Sequence, residues 1–89
     1  MLHLINKNRF ERDLRLMLKR GKSLEKIKNM MRQLAEQRPL EEKYCDHPLK
    51  GEYVDCRECH IEPDWLLIYM IKNDSIIFVR TGSHADLFR

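Results

Sequence analysis

The sequence predicts an α+β fold: a short N-terminal strand and a two-helix hairpin packed on one face of a twisted antiparallel sheet. Three observations carry this expectation. Residues 8–37 hold apolar side chains at helical spacing, interrupted once at Gly21. Residues 52–82 read as extended segments separated by Glu62-Pro63-Asp64 and Asn73-Asp74. The run Trp65–Ile71 is apolar on both faces, as a strand inside a sheet must be.

Taken in order, Leu2-His3-Leu4-Ile5 forms a strand within residues 1–5. Asn6 or Asn8 offers an N-cap to the first helix. Phe10, Leu14, Met17 and Leu18 follow at helical spacing, and Gly21 stops the helix. Ser23 caps a second helix with the stripe Leu24, Ile27, Met31 and Leu34, and Pro39 ends it by Arg38. Met17, Met30 and Met31 read as core or as a groove for a partner, not as cofactor ligands. Residues 40–51 lack a period and contain Pro48 and Gly51, so they read as loop. Glu52–Ile61 has the mixed alternation of a strand, Pro63 breaks it, and Ser75–Thr81 runs back beside Trp65–Ile71. The result is an antiparallel meander over residues 52–82 and a C-terminal tail over 83–89. At 89 residues the chain supports one domain, 1–89, with one modest core. Only the two helices are available to cover a face of the sheet.

Composition narrows the function classes. With 43% hydrophobic and 35% charged residues, the chain reads as globular and not disordered. Its longest apolar run is far too short for a membrane span, and no signal-peptide core opens the sequence. An odd set of three cysteines does not make a secreted disulfide scaffold, which predicts the cytoplasm and reduced thiols. The net charge of +3 hides an asymmetry. Residues 1–38 carry eleven Lys or Arg against four Asp or Glu, and residues 39–89 carry six against ten. The basic half suits a phosphate backbone or an acidic partner, or consists of solvated helix faces.

Three histidines, His47, His60 and His84, each sit in a polar break beside apolar segments. On a strand, Glu58 and His60 share one face, and Arg57, Cys59 and Ile61 share the other. The meander returns Arg80 and His84 to the neighbourhood of His60 and Asp64, with His47 able to close over them. Such a set suits RNA cleavage. One group removes the 2′-OH proton, another protonates the departing 5′ oxygen, and an arginine offsets phosphorane charge. Trp65, Tyr69 or Phe88 can stack a splayed base, although Trp65 and Tyr69 are more readily core. Metal binding is the rival chemistry, since Cys45, His47, Cys56 and Cys59 are zinc-type ligands. Cys56 and Cys59 have opposite strand parity, however, and no glycine turns the chain between them.

Three blocks carry a resemblance: Asp46-His47-Pro48-Leu49-Lys50-Gly51, Arg57-Glu58-Cys59-His60-Ile61-Glu62-Pro63-Asp64-Trp65-Leu66-Leu67-Ile68-Tyr69, and Arg80-Thr81-Gly82-Ser83-His84-Ala85-Asp86-Leu87-Phe88. In this order and spacing the chain resembles the YafQ branch of the RelE/ParE toxin superfamily, the toxins of bacterial type II toxin–antitoxin modules. The resemblance implies a RelE-like fold and a metal-independent endoribonuclease, without cofactor, that cuts messenger RNA on the ribosome. It implies acid–base roles for His47, His60, Asp64 and His84, phosphate stabilisation by Arg80, and nucleotide placement by Phe88. Glu58 is implied less strongly, since some relatives carry another acidic residue there. A cognate antitoxin would wrap the toxin, block the site and help bind operator DNA. The alternatives are a gyrase-inhibiting toxin of the ParE kind and a non-catalytic binding module.

Overall fold

The computed structural model describes residues 1–88. Eight elements follow in chain order. They are β1 (His3–Asn6), α1 (Asn8–Lys19), α2 (Leu24–Ala35), β2 (His47–Pro48), β3 (Arg57–Glu62), β4 (Trp65–Lys72), β5 (Ser75–Gly82) and α3 (His84–Leu87). The strands form one sheet in the order β1-β5-β4-β3-β2.

The hairpins at the sheet centre are antiparallel, as their short connections require. The expected antiparallel meander is present, and the N-terminal strand adds to it in the other sense. β1 pairs with β5 in parallel, from His3 opposite Ser75 to Asn6 opposite Phe78, so the sheet is mixed. Hydropathy pattern does not fix strand direction, and no hairpin ties β1 to its neighbour. β1 also begins one residue later than Leu2, which turns into the core.

The helices form where the spacing places them, with corrections at the caps. Asn8 is already helical, and Lys7 occupies the N-cap position without a side-chain bond. Gly21 adopts φ +89°, a conformation only glycine takes freely, and this releases the chain from α1. Ser23 then caps α2 by accepting from the Lys26 N–H at 3.3 Å. Its buried stripe is Ile27, Met30, Leu34 and Ala35; Leu24 faces solvent instead.

Both helices pack on one face. Phe10, Met17, Ile27, Met30 and Leu34 meet Cys59, Ile61, Trp65, Leu67, Tyr69 and Phe78 there. The other face of β4 carries Leu66 and Ile68, packed on Cys56 and Leu87 with Leu49, Tyr53 and Val79. β4 is therefore buried on both sides, as its unbroken apolar run requires. Trp65 Nε1 donates to Thr81 Oγ1 at 3.0 Å, and Thr81 Oγ1 donates to the Leu66 carbonyl at 2.7 Å.

The segment before the meander differs most from expectation. Residues 40–51 are not all loop: a 3₁₀ turn covers Glu42–Tyr44, and β2 pairs with β3. The strand expected over Glu52–Ile61 starts only at Arg57, because Gly51–Tyr53 forms a second 3₁₀ turn. In the expected tail, Ser83 and Asp86 form a reciprocal capping box that winds α3, and Arg89 lies outside the described residues. Among the described residues no helix is long and apolar enough to cross a membrane.

Candidate functional site

The sheet face opposite the helices brings the histidines together. His47 and His60 have ring centroids 6.5 Å apart, and His60 and His84 5.7 Å apart. Each arrives from a different element. His47 stands on β2 directly opposite Glu58, and Asp46 anchors that segment by accepting from Tyr69 Oη at 2.8 Å and Arg57 Nε at 3.1 Å. His60 stands on β3 opposite Leu66, two residues along from Glu58, so alternation gives them a shared face. His84 begins α3, immediately after β5.

Glu58 lies beneath two of the imidazoles, with its side chain 5% exposed. Its Oε2 is 2.9 Å from His47 Nε2 and 3.4 Å from His60 Nε2. Its Oε1 is buried without a hydrogen-bond partner among the described residues. The tautomer of His47 follows from its other contact. His47 Nδ1 is 3.1 Å from the Pro48 carbonyl, which can only accept, so Nδ1 carries a proton. The short Nε2–Oε2 contact then needs a second proton, on the imidazole or on the carboxyl. The pair thus holds one proton between its two acceptor atoms.

Asp64 and His84 form the second contact pair. Asp64 Oδ1 accepts from both the backbone N–H and Nδ1 of His84, each at 3.0 Å. These bonds, the backbone one first, hold the Asp64 carboxyl below its ordinary pKa. Phe88 closes this side, with its ring 6.2 Å from His84 and 6.0 Å, edge to face, from Tyr53.

Arg80 reaches the same face from β5, opposite Ile68, at a bulge where pairing shifts between Ile68 and Tyr69. Its guanidinium is not loose. Nε donates to Asp13 Oδ2 at 2.6 Å, Nη2 to Asp13 Oδ1 at 3.2 Å, and Nη1 to Tyr53 Oη at 3.4 Å.

A chain of groups therefore runs from Asp13 through Arg80, Tyr53, Phe88, His84 and His60 to Glu58 and His47. The family model for the bacterial toxin of type II toxin–antitoxin systems, YafQ, matches residues 2–89. The chain belongs to the YafQ family. It is 42% identical over 80 residues to the mRNA interferase toxin YafQ of Escherichia coli K12, covering 89% of this chain and 87% of that relative. The toxin fold in the crystal structure of the Escherichia coli DinJ–YafQ complex matches with a TM-score of 0.90 at 38% identity, covering 100% of both chains. A metal-bound toxin from Helicobacter pylori matches with a TM-score of 0.92 at 43% identity, covering 99% of this chain and 100% of the other.

Within this YafQ-family chain, all seven residues singled out from sequence lie along one connected face: His47, Glu58, His60, Asp64, Arg80, His84 and Phe88. Sequence reasoning missed Tyr53 and Asp13. Tyr53 falls within the strand expected over Glu52–Ile61, and no sequence motif marks Asp13. Trp65 and Tyr69 are core, with Tyr69 Oη spent on Asp46. Burial and that bond push the Tyr69 hydroxyl well above its usual pKa. The zinc set of Cys45, His47, Cys56 and Cys59 does not assemble: Cys59 sits in the helix-side core and Cys56 in the opposite cluster. Burial raises the Cys59 thiol far above the usual range, which suits an inert core residue. A different set is close enough to share a cation: ligand atoms of His47, Glu58 and His60 lie within 4.8 Å of one another.

Proposed function

We propose that this protein is the toxin of a type II pair, an mRNA interferase that cleaves RNA without metal by general acid–base catalysis. The observation that carries this reading is the convergence of three imidazoles on two carboxylates: His47 and His60 on Glu58, and His84 on Asp64. The name borne by the Escherichia coli relative supports it.

His84 supplies the acid. Ionised Asp64 accepts only, so Nδ1 of His84 carries a proton and Nε2 is the atom that exchanges one with the leaving 5′ oxygen. His60 takes the 2′-OH proton, with Glu58 behind it to balance the charge. Asp64 serves His84 and is not the base, since its Oδ1 is occupied twice by His84. His47 holds the scissile phosphate and draws on the proton it shares with Glu58. Arg80 offers fixed donors to the phosphorane-like transition state. Phe88 and Tyr53 stack the nucleotide. The 2′ oxygen attacks phosphorus, the bond to the 5′ oxygen breaks, and the products are a 2′,3′-cyclic phosphate and a 5′-OH.

The basic helices support the partner assignments. Arg9, Arg12, Arg15 and Lys19 on α1 are exposed, which suits ribosomal RNA or an acidic antitoxin segment. The Escherichia coli DinJ–YafQ toxin–antitoxin complex supports a cognate antitoxin as partner. In this reading the antitoxin covers the site, and operator DNA is bound only by the toxin–antitoxin complex. The setting is the cytoplasm, where message is translated. Primer extension on a translated message tests the function. Cleavage by the wild type and not by His84→Ala is expected, and a gyrase-inhibiting toxin or a non-catalytic module would leave the message intact in both arms.

A second reading is regulatory and rests on the His47, Glu58 and His60 cluster. Two imidazoles and a carboxylate with an orphaned oxygen fit a borderline cation such as zinc or copper. A cation there would occupy the atoms that handle protons, so binding would inhibit cleavage.

A further inference from the structure

We propose that Asp13 is a positioning residue for RNA cleavage: it clamps the Arg80 guanidinium side-on and leaves the far end of the fork for the scissile phosphate. The inference rests on the reading of Arg80 given above. Asp13 lies on α1, 67 residues before Arg80, so the clamp joins the helical half to the sheet. Its Oδ2 accepts from Arg80 Nε at 2.6 Å and from the Thr81 N–H at 3.2 Å, and its Oδ1 accepts from Arg80 Nη2 at 3.2 Å. One carboxylate thus holds both the side chain and the backbone next to the β5 bulge. The two side chains are only 12% and 14% exposed.

The remaining donors decide what the clamp does. An arginine has five N–H groups, and Asp13 uses two of them, on Nε and Nη2. The other N–H of Nη2 and one on Nη1 remain at the far end, since Nη1 gives its other N–H to Tyr53 Oη. Nη1 is 3.4 Å from Tyr53 Oη, and Tyr53 adjoins Phe88, so that end faces the aromatic and imidazole side of the site. Such a fork can give parallel bonds to two phosphate oxygens.

Energetics favour a transition-state role over a binding role. The carboxylate offsets the guanidinium charge and weakens its pull on a phosphate in the ground state. It also fixes donors that an unclamped arginine would have to order during the reaction. An interaction that costs ground-state attraction yet fixes transition-state donors raises the rate of the chemical step.

The test is a double-mutant cycle on the full chain with Asp13→Asn, Arg80→Ala and both together. Single-turnover cleavage of a translated message gives the rate. Equilibrium binding of the same RNA with a 2′-deoxy scissile nucleotide gives Kd. Melting curves correct each rate for folded protein. Asp13→Asn is expected to slow cleavage about tenfold or more with Kd unchanged or tighter. In the Arg80→Ala background it should change the rate by less than about twofold. Equal slowing in both backgrounds, or a wild-type rate in Asp13→Asn, overturns the clamp. Arg80→Ala at the wild-type rate would instead remove the reading of Arg80 itself. If Asp13→Asn does not fold, Asp13→Glu keeps the charge and displaces the guanidinium; slower cleavage at unchanged Kd is expected, and full activity overturns the proposal.

Discussion

Asp64 meets His84 twice through one oxygen: the backbone N–H and Nδ1 of His84 both lie 3.0 Å from Asp64 Oδ1. The pairing locks the start of α3 to the turn between β3 and β4 and settles which imidazole nitrogen is protonated. The side chains stay 69% and 55% exposed, so the ring is oriented yet open to a substrate.

Removal of that imidazole should therefore affect chemistry and not binding. His84→Ala is expected to lower the single-turnover cleavage rate by about 10²–10⁴-fold, the usual worth of a positioned acid or base. RNA affinity should stay within a few-fold, since the cationic helices and Arg80 remain. Rapid-quench cleavage beside equilibrium RNA binding checks both. Unchanged cleavage would remove His84 from the mechanism.

Metal dependence gives a second outcome with a defined sign. Cleavage should persist in excess chelator, because the proposed acid, base and phosphate donors are all side chains. Added zinc or copper should slow it by occupying His47, Glu58 and His60. Glu58→Ala should bind that metal less tightly by calorimetry. Loss of activity on chelation would overturn the metal-independent reading.

The buried Thr81 hydroxyl supports a stability prediction. It accepts from Trp65 Nε1 and donates to the Leu66 carbonyl, and both residues are fully buried. Thr81→Val keeps the shape and orphans the indole N–H. A cost of about 1–3 kcal/mol is expected, lowering Tm by roughly 4–8 °C per kcal/mol in a domain of this size. Thermal unfolding followed by circular dichroism measures it, and an unchanged Tm would refute it.

What was legible in the sequence depended on local signals. Gly21 and Ser23 punctuate the hairpin, the Trp65–Ile71 run marks a strand buried on both faces, and Asn73 turns tightly at φ 57°. Alternation placed Glu58 with His60, and the meander returned His84 to them. The direction of β1 was not legible, because parallel pairing with β5 is decided by the path of the chain between them. β2 was hidden because two residues, one of them Pro48, show no periodicity. Asp13 escaped notice because its partner stands 67 positions away. Tyr53 was obscured by a 3₁₀ turn that replaced the expected strand.

Acid should loosen the C-terminal helix in a way one substitution abolishes. Asp86 Oδ2 accepts from the Ser83 N–H at 2.9 Å and from Arg20 Nη1 at 2.7 Å, and these bonds, that of Arg20 first, hold its carboxyl far below the ordinary range. A depressed carboxyl contributes stability that is fully present above its unfolded pKa, near 3.8, and fades as pH falls toward the folded value. Arg20 is half exposed, so the ion pair adds little, and the capping box accounts for about 1 kcal/mol. Asp86→Asn should therefore melt below the wild type at pH 7, and the gap should narrow as pH drops below about 4. Because α3 carries His84, the same variant should also cleave more slowly at pH 7. A gap in Tm that stays constant from pH 7 to pH 2.5 would mean that the Asp86 charge contributes nothing.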